Sequence, residues 1–327
     1  MANPAAYGDG CQGSDRGETA TEARYHPKSL KCDFRFKMAL CNAERMKHFA
    51  LLPAALRGLA LGLVLLPSVP AAITSVAQAQ GLSTTQLVQA ELRPGWRTEN
   101  GTHMAALHLR MADGWKTYWR IPGEAGIAPQ LDWSQSQNVA SVTAHWPRPM
   151  VFDQNGFRSI GYDGELVLPL EFTPQRAGRP MALMAQVTIG ICRDTCVPVD
   201  LTLSLPLRDA GAHDPLIAAA LARRPEAGAG AGLTQATCRV EPGTRGVELT
   251  LRAALPRLGA REHMVVELPG TGYWVSDSQT WREGSELVGR SRVRAPQQGA
   301  VSIQRGSVAF TILSEDRMVV HQGCTGG

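Results

Sequence analysis

Between Val187 and Leu207 the chain sets two cysteines, Cys192 and Cys196, inside an alternating apolar pattern. Val187, Ile189, Ile191, Val197, Val199, Leu201, Leu203 and Leu205 all carry odd numbers. Successive strand side chains point to opposite faces, so these residues line a core while both cysteines point away from it. On one extended strand the cysteines would lie about 13 Å apart at about 3.3 Å per residue, beyond the reach of a disulfide. The chain must therefore turn at Arg193-Asp194-Thr195, which makes the cysteines facing partners across a hairpin, with α-carbons about 4.5–5.5 Å apart. So short a loop adds little chain-entropy stability, and a cross-strand bond tends to be strained. Both properties suit a bond that is made and broken better than a structural staple, which is the alternative reading. The spacing is not the Cys-x-x-Cys of thioredoxins, and no helix N-terminus is at hand to lower a thiol pKa. Arg193 would favour a thiolate and Asp194 would oppose it.

From Leu87 to Leu207 short alternating segments are separated by turn residues, the pattern of an antiparallel β-sandwich. Residues 209–232, rich in Ala, Gly and Arg, read as a flexible linker with one short helix over Pro215–Arg223. Strand-like segments resume at Val247–Arg252, His263–Leu268, Leu287–Val293, Ala300–Gln304 and Val308–Leu313. The expectation is an all-β chain, with a sandwich over residues 80–208 and a second, smaller β domain over residues 233–327. The formal charge of +4 is spread over 33 basic and 29 acidic residues without a basic run, which gives no electrostatic case for nucleic acid.

Lys47 and His48 precede an apolar stretch that ends at Leu66, too short to span a bilayer, and Ala77-Gln78-Ala79 supplies the small residues of a signal-peptidase site. We therefore read residues 46–79 as a signal peptide and residues 1–45 as an over-extended N-terminus, with Met46 the true start. Cys11, Cys32 and Cys41 would be discarded with this leader. The exported remainder keeps Cys192, Cys196, Cys238 and Cys324 in an oxidising compartment. Neighbourhood pairs the first two and leaves Cys238 with Cys324. That second bond closes a loop of 86 residues and reads as structural; the loop-entropy model assigns it about 4–5 kcal/mol.

Three blocks carry a family resemblance. They are Gly114–Gly126 with Leu131-Asp132-Trp133, Trp146–Pro149 through Gly161–Pro169, and the hairpin Ile191–Pro198. In order and spacing they resemble the periplasmic N-terminal region of the DsbD/ScsB thiol-disulfide interchange proteins. The resemblance covers most of residues 82–207. It implies an immunoglobulin-like sandwich whose cysteine pair, here Cys192 and Cys196, passes electrons by thiol-disulfide exchange between a thioredoxin-like domain and client oxidoreductases. It also implies an aromatic cap loop over the pair, here Phe152, Asp153 and Phe157, with Tyr118 and Tyr162 nearby. Neither the membrane conduit nor the thioredoxin domain of the full-length reductases is visible, so the expected partners are separate periplasmic thioredoxin-fold proteins and a membrane electron-conduit protein.

The aromatic residues of the Gly114–Arg120 block have a second reading as sandwich core, which we prefer to a docking surface. Met318, His321 and Cys324, with His103-Met104 and Met181/Met184, are soft ligands of the kind Cu(I) prefers. In a strand, however, 318 and 321 face opposite sides, so no metal site is assigned and no cofactor is expected. The rival to redox exchange is a non-catalytic binding or chaperone module, linked to copper tolerance, whose hairpin disulfide only fixes a loop.

Overall fold

Period-two alternation becomes two packed sheets in the first half of the chain. The computed structural model describes residues 83–327 except 155, 208 and 209. The expected leader, with Cys11, Cys32 and Cys41, lies outside the described residues. A single turn of helix, α1 (Thr84–Leu87), precedes β1 (Val88–Arg97), β2 (His103–Met111), β3 (Lys116–Gly123), β4 (Gln130–Asp132) and β5 (Val139–Ala144). Then come β6 (Met150–Gln154), β7 (Phe157–Asp163), β8 (Glu165–Pro174), β9 (Met181–Cys192) and β10 (Cys196–Leu207). One sheet has the order β1-β2-β8-β5 and the other β10-β9-β3-β7-β6, with β4 also on β9. Their facing sides form one core. Leu107, Leu109, Leu168 and Phe172 of the first sheet meet Trp119, Ile160, Val187, Ile189 and Ile191 of the second, each no more than 2% exposed. Burying one such side chain is worth about 1.5–3 kcal/mol, so the odd-numbered stripe of β9 anchors its register.

The stretch read as a flexible linker is folded. Helix α2 (Pro215–Ala222) begins at Asp214, whose side chain accepts from the Leu216 and Ile217 amides at 2.9 and 3.3 Å. Such a cap satisfies backbone donors that the first turn leaves unpaired. Arg93 Nε donates to Asp214 at 2.7 Å and ties the helix to β1. Ile217 and Ala220 are buried against Met104, Ala106 and Val167. After α2, β11 (Glu226–Ala227) pairs with a strand near the C-terminus, and the Gly228 amide donates to Val320 at 2.9 Å. Small residues suit a close-packed turn as readily as a tether. The difference lies in partners about 90 residues downstream, which composition does not carry.

The second half is another sandwich. Its strands are β12 (Gln235–Gly243), β13 (Gly246–Ala254), β14 (His263–Glu267), β15 (Trp274–Val275) and β16 (Gln279–Glu283), followed by β17 (Glu286–Arg294), β18 (Ala309–Leu313), β19 (Met318–Gln322) and β20 (Thr325–Gly326). The sheets run β11-β19-β18-β14 and β15-β17-β13-β12-β20, with β16 on β17. Leu249, Leu251, Met264, Phe310, Ile312 and Val319 fill the space between them. Four of the five expected strands fall on β13, β14, β17 and β18. Ala300–Gln304 does not form one. Val301 and Ile303 pack against the core as their alternation requires, yet the backbone joins no ladder, and the Ser302 amide takes the Tyr273 hydroxyl instead.

Cys238 of β12 is bonded to Cys324, with α-carbons 5.7 Å apart, and β20 adds to β12 directly beyond it. Among the described residues no helix is long and apolar enough to cross a membrane. Replacing both Cys238 and Cys324 by Ala should lower stability by about 4–5 kcal/mol, whereas losing the Cys192–Cys196 link should cost about 2 kcal/mol because its loop is so short. Urea unfolding of the two double variants checks this; equal losses would contradict it.

Candidate functional site

The hairpin of β9 and β10 pairs residue for residue from Leu207 with Met181 to Cys196 with Cys192, without a bulge. The turn is the three residues Arg193, Asp194 and Thr195, closed by the Arg193 amide on the Thr195 carbonyl at 3.2 Å. The cysteines are bonded, with α-carbons 4.1 Å apart, closer than the ladder spacing expected from sequence. Both lie on the face of the sheet turned away from the core, as the parity of β9 and β10 requires. Their surroundings differ sharply. Cys196 is exposed, while Cys192 is 1% exposed although it takes no part in the core.

What covers Cys192 comes from β3, from the chain after it, and from the β6–β7 hairpin. Lys116, the first residue of β3, is the cross-strand partner of Cys192 and is itself buried. Burial lowers its pKa, opposed by the nearby Asp163 carboxylate. The Phe152 ring lies over the Lys116 ammonium, 4.7 Å from nitrogen to ring centre. Two residues along β3, Tyr118 reaches the disulfide: its hydroxyl lies 3.3 Å from Cys196 Sγ. A bonded sulfur carries no hydrogen, so the phenol donates. Burial pushes the Tyr118 pKa up, which keeps that proton in place. The segment after β3 then crosses the same face. A β-carbon on Gly190 would lie 2.8 Å from the Ile127 β-carbon, so only glycine at 190 lets this strap lie flat beside the cysteines.

The residues expected at the site are therefore partly gathered. Tyr118 touches the pair, and Phe152 lies over Lys116, the ladder partner of Cys192. Phe157 sits at the tip of the β6–β7 hairpin, 58% exposed and away from the cysteines. Asp153, also exposed, pairs with Arg158 Nε at 3.2 Å. Tyr162 does not approach the pair. It belongs to the core, stacks near Trp146 and donates to the Pro147 carbonyl at 2.8 Å, with its pKa raised far above the usual phenol value by burial. Parity explains the split: Ile160 and Tyr162 of β7 face inward, and Phe152 of β6 lies outward. Trp115 and Trp119 are core residues, as preferred above. Arg193 and Asp194 pair with each other at 3.2 Å, and the Arg193 guanidinium also lies over Trp115, so neither charge is aimed at the sulfurs alone.

Lys116, Ile127 and Gly190 were not singled out from sequence. The even-numbered alternation Lys116, Tyr118, Arg120 was the available signal, since it places Lys116 on the face of Cys192. The soft ligands do not converge. Cys324 is held in a disulfide, Met181 and Met318 are core residues, His321 tilts against Phe310, and His103 bonds the Pro94 carbonyl. Among the described residues no cluster of three or more His, Cys, Asp or Glu is placed to hold a metal ion.

Residues 78–207 match the family model described as the N-terminal part of the thiol:disulfide interchange protein DsbD. No curated protein sequence matches the chain. Among solved structures, the N-terminal periplasmic domain of ScsB from Proteus mirabilis is 25% identical with a TM-score of 0.53, over 73% of this chain and 92% of that one. That span is too long for the first sandwich alone. InvD of Yersinia pseudotuberculosis is 12% identical over 75% of this chain and 59% of that one, with a TM-score of only 0.16. The hairpin geometry and the family match agree over the first sandwich, so residues 78–207 form a domain of the DsbD N-terminal type, and the likeness to the ScsB N-terminal periplasmic domain runs through both sandwiches.

Proposed function

We propose that this protein is a periplasmic thiol-disulfide exchange component, a part of a protein-disulfide reductase system, in which Cys192 and Cys196 are the redox pair and Cys196 is the sulfur that meets partners. The observation that carries this reading is the asymmetry of burial, with Cys196 open to solvent and Cys192 closed off beneath Lys116 and its cover. Exchange needs an in-line approach to one sulfur, and only Cys196 offers it.

In the oxidised protein, a thiolate of a reduced thioredoxin-fold partner attacks Cys196 Sγ. The Cys192–Cys196 bond breaks, a mixed disulfide forms through Cys196, and Cys192 leaves as a thiolate. The partner's second thiol then attacks its own sulfur in the mixed disulfide. Cys196 is released, and two electrons have passed to this chain. Toward a client the steps reverse: the Cys196 thiolate opens the client disulfide, and Cys192 attacks Cys196 Sγ and expels the client thiolate. Lys116, facing Cys192 across the ladder, favours the Cys192 thiolate, and the Tyr118 hydroxyl donates to the charge that develops on Cys196. Phe152, over Lys116, acts as the cap that keeps small thiols and water from the buried half of the bond. Electrons would reach the pair from a separate thioredoxin-fold protein fed by a membrane conduit. The bond between Cys238 and Cys324 acts as a structural staple.

Trapping tests the assignment. Cys192→Ser, which lacks the resolving thiol, should accumulate reductant-sensitive mixed disulfides with thioredoxin-fold proteins of a periplasmic extract, and Cys196→Ser should not. Capture by Cys196→Ser alone would reverse the roles. Capture by neither, with a wild-type bond that also resists a glutathione buffer, would make the disulfide a fixed loop staple in a binding module. A second measurement concerns Tyr118→Phe. Loss of a hydrogen bond to a charged sulfur, worth about 1.5–3 kcal/mol, should move the alkylation of reduced Cys196 to higher pH and slow exchange about tenfold. An unchanged pH profile would remove Tyr118 from the mechanism.

A further inference from the structure

The β6–β7 hairpin that carries Phe152 is not held by the first sandwich alone. Arg158 stands opposite Asp153 in the hairpin ladder and bonds it. From the same side chain, Nη1 donates to Asp277 Oδ2 at 3.1 Å and to His263 Nδ1 at 3.2 Å, both in the second sandwich. The receiving end is rigid. His263 Nε2 meets Asp277 Oδ1 at 2.9 Å, both side chains are less than 10% exposed, and Thr280 Oγ1 closes the group at 3.5 Å. Elsewhere the two sandwiches are in apolar contact, with Val265, Leu313 and Met318 of the second packed into the core cluster of the first, but beside the Arg158 contact they part. A polar cleft of about 620 Å³ opens between Asp153, Gly156 and Arg158 on one wall and Ser276, Asp277 and Thr280 on the other. The opposite side of the site is pinned in the same manner. Arg120, two residues beyond Tyr118, holds Glu267 of β14 with both its Nε and Nη2 donors.

We infer that the second sandwich is the anchor of the cap: the Arg158–Asp277–His263 cluster holds the β6–β7 hairpin, and Phe152 with it, over the disulfide face, and the cleft beside it is the space into which the hairpin swings when a partner docks. Arg158 is a positioning residue, acting on the sulfurs through Phe152. A guanidinium clamped between a carboxylate of its own hairpin and a buried carboxylate of the neighbouring sandwich fixes the hairpin in angle as well as distance, because its donors form a planar fork. A polar contact at the edge of a water-filled cleft suits a two-position device, since releasing it leaves the apolar contact of Val265, Leu313 and Met318 in place and exposes little apolar surface. This assigns the second sandwich a task in access to the pair and rests on the exchange reading above for the meaning of the cap.

The test uses the mature two-sandwich protein with Arg158→Met, which keeps the aliphatic stem, Asp277→Asn, which keeps the shape, and the double variant. Either single change should raise the rate of Cys192–Cys196 reduction by dithiothreitol about fivefold or more, the range of a modest coupling between sites. It should also raise amide exchange in β6 and β7 while the unfolding midpoint stays close to wild type. Because both changes break one contact, the double variant should be no faster than the faster single one. Reduction rates and hairpin exchange at wild-type values would overturn the inference, as would effects that add in full, since these mark separate destabilisations. Should Arg158→Met not fold, Asp277→Asn alone decides between these outcomes. Amide exchange needs no redox partner. A hairpin loosened by the variants in a protein that captures no partner would refute the relay and leave the anchor standing.

Discussion

The register of β9 against β10 is the constraint on which the cysteine face depends. Twelve consecutive pairs, from Leu207 with Met181 to Cys196 with Cys192, hold the odd-numbered residues of both strands toward the core. A slip of one residue would turn the apolar stripe to solvent, at about 1.5–3 kcal/mol for each large side chain exposed. The same slip would part the cysteines. The core therefore enforces the disulfide geometry from the side of the sheet the sulfurs do not occupy.

On the sulfur face, chemistry follows from what covers each cysteine. Pairing alone makes Cys192 and Cys196 equivalent. The β3 strand removes that equivalence by setting Lys116 beside one and the Tyr118 hydroxyl beside the other, and the strap through Ile127 lies flat only because position 190 has no side chain. An exposed sulfur next to a hydrogen-bond donor and a buried sulfur next to an ammonium are unlike ends of one bond, and the proposed exchange rests on that difference. The second sandwich extends this layout, since Arg120 and Arg158 carry its carboxylates to the two elements that frame the site.

How much of this was legible in the residues follows from the range of each interaction. The core stripe, the three-residue turn and the pairing of Cys192 with Cys196 are local, and alternation reports them directly. Tyr118 and Phe152 came from resemblance in the family blocks. Tyr162 came from the same source and lies in the core, because its ladder partner is Thr117 while Tyr118 stands opposite Gly161, so the two tyrosines take opposite faces, and a matched block does not carry that cross-strand register. The run around Ala227–Gly232 read as a tether because its stabilising partners, such as Val320, lie far along the chain. Lys116 drew no notice, since a lysine in a strand is ordinarily solvated.

By itself the sequence determined the fold class, the facing cysteines and the pairing of Cys238 with Cys324, because periodicity and cysteine neighbourhood are properties of short stretches. Only the tertiary structure decided which sulfur is open, which aromatic residue lies over the site and what Arg158 holds. Those answers depend on side chains more than 30 residues apart coming within a few ångströms of one another, and such proximity leaves no periodic trace along the chain.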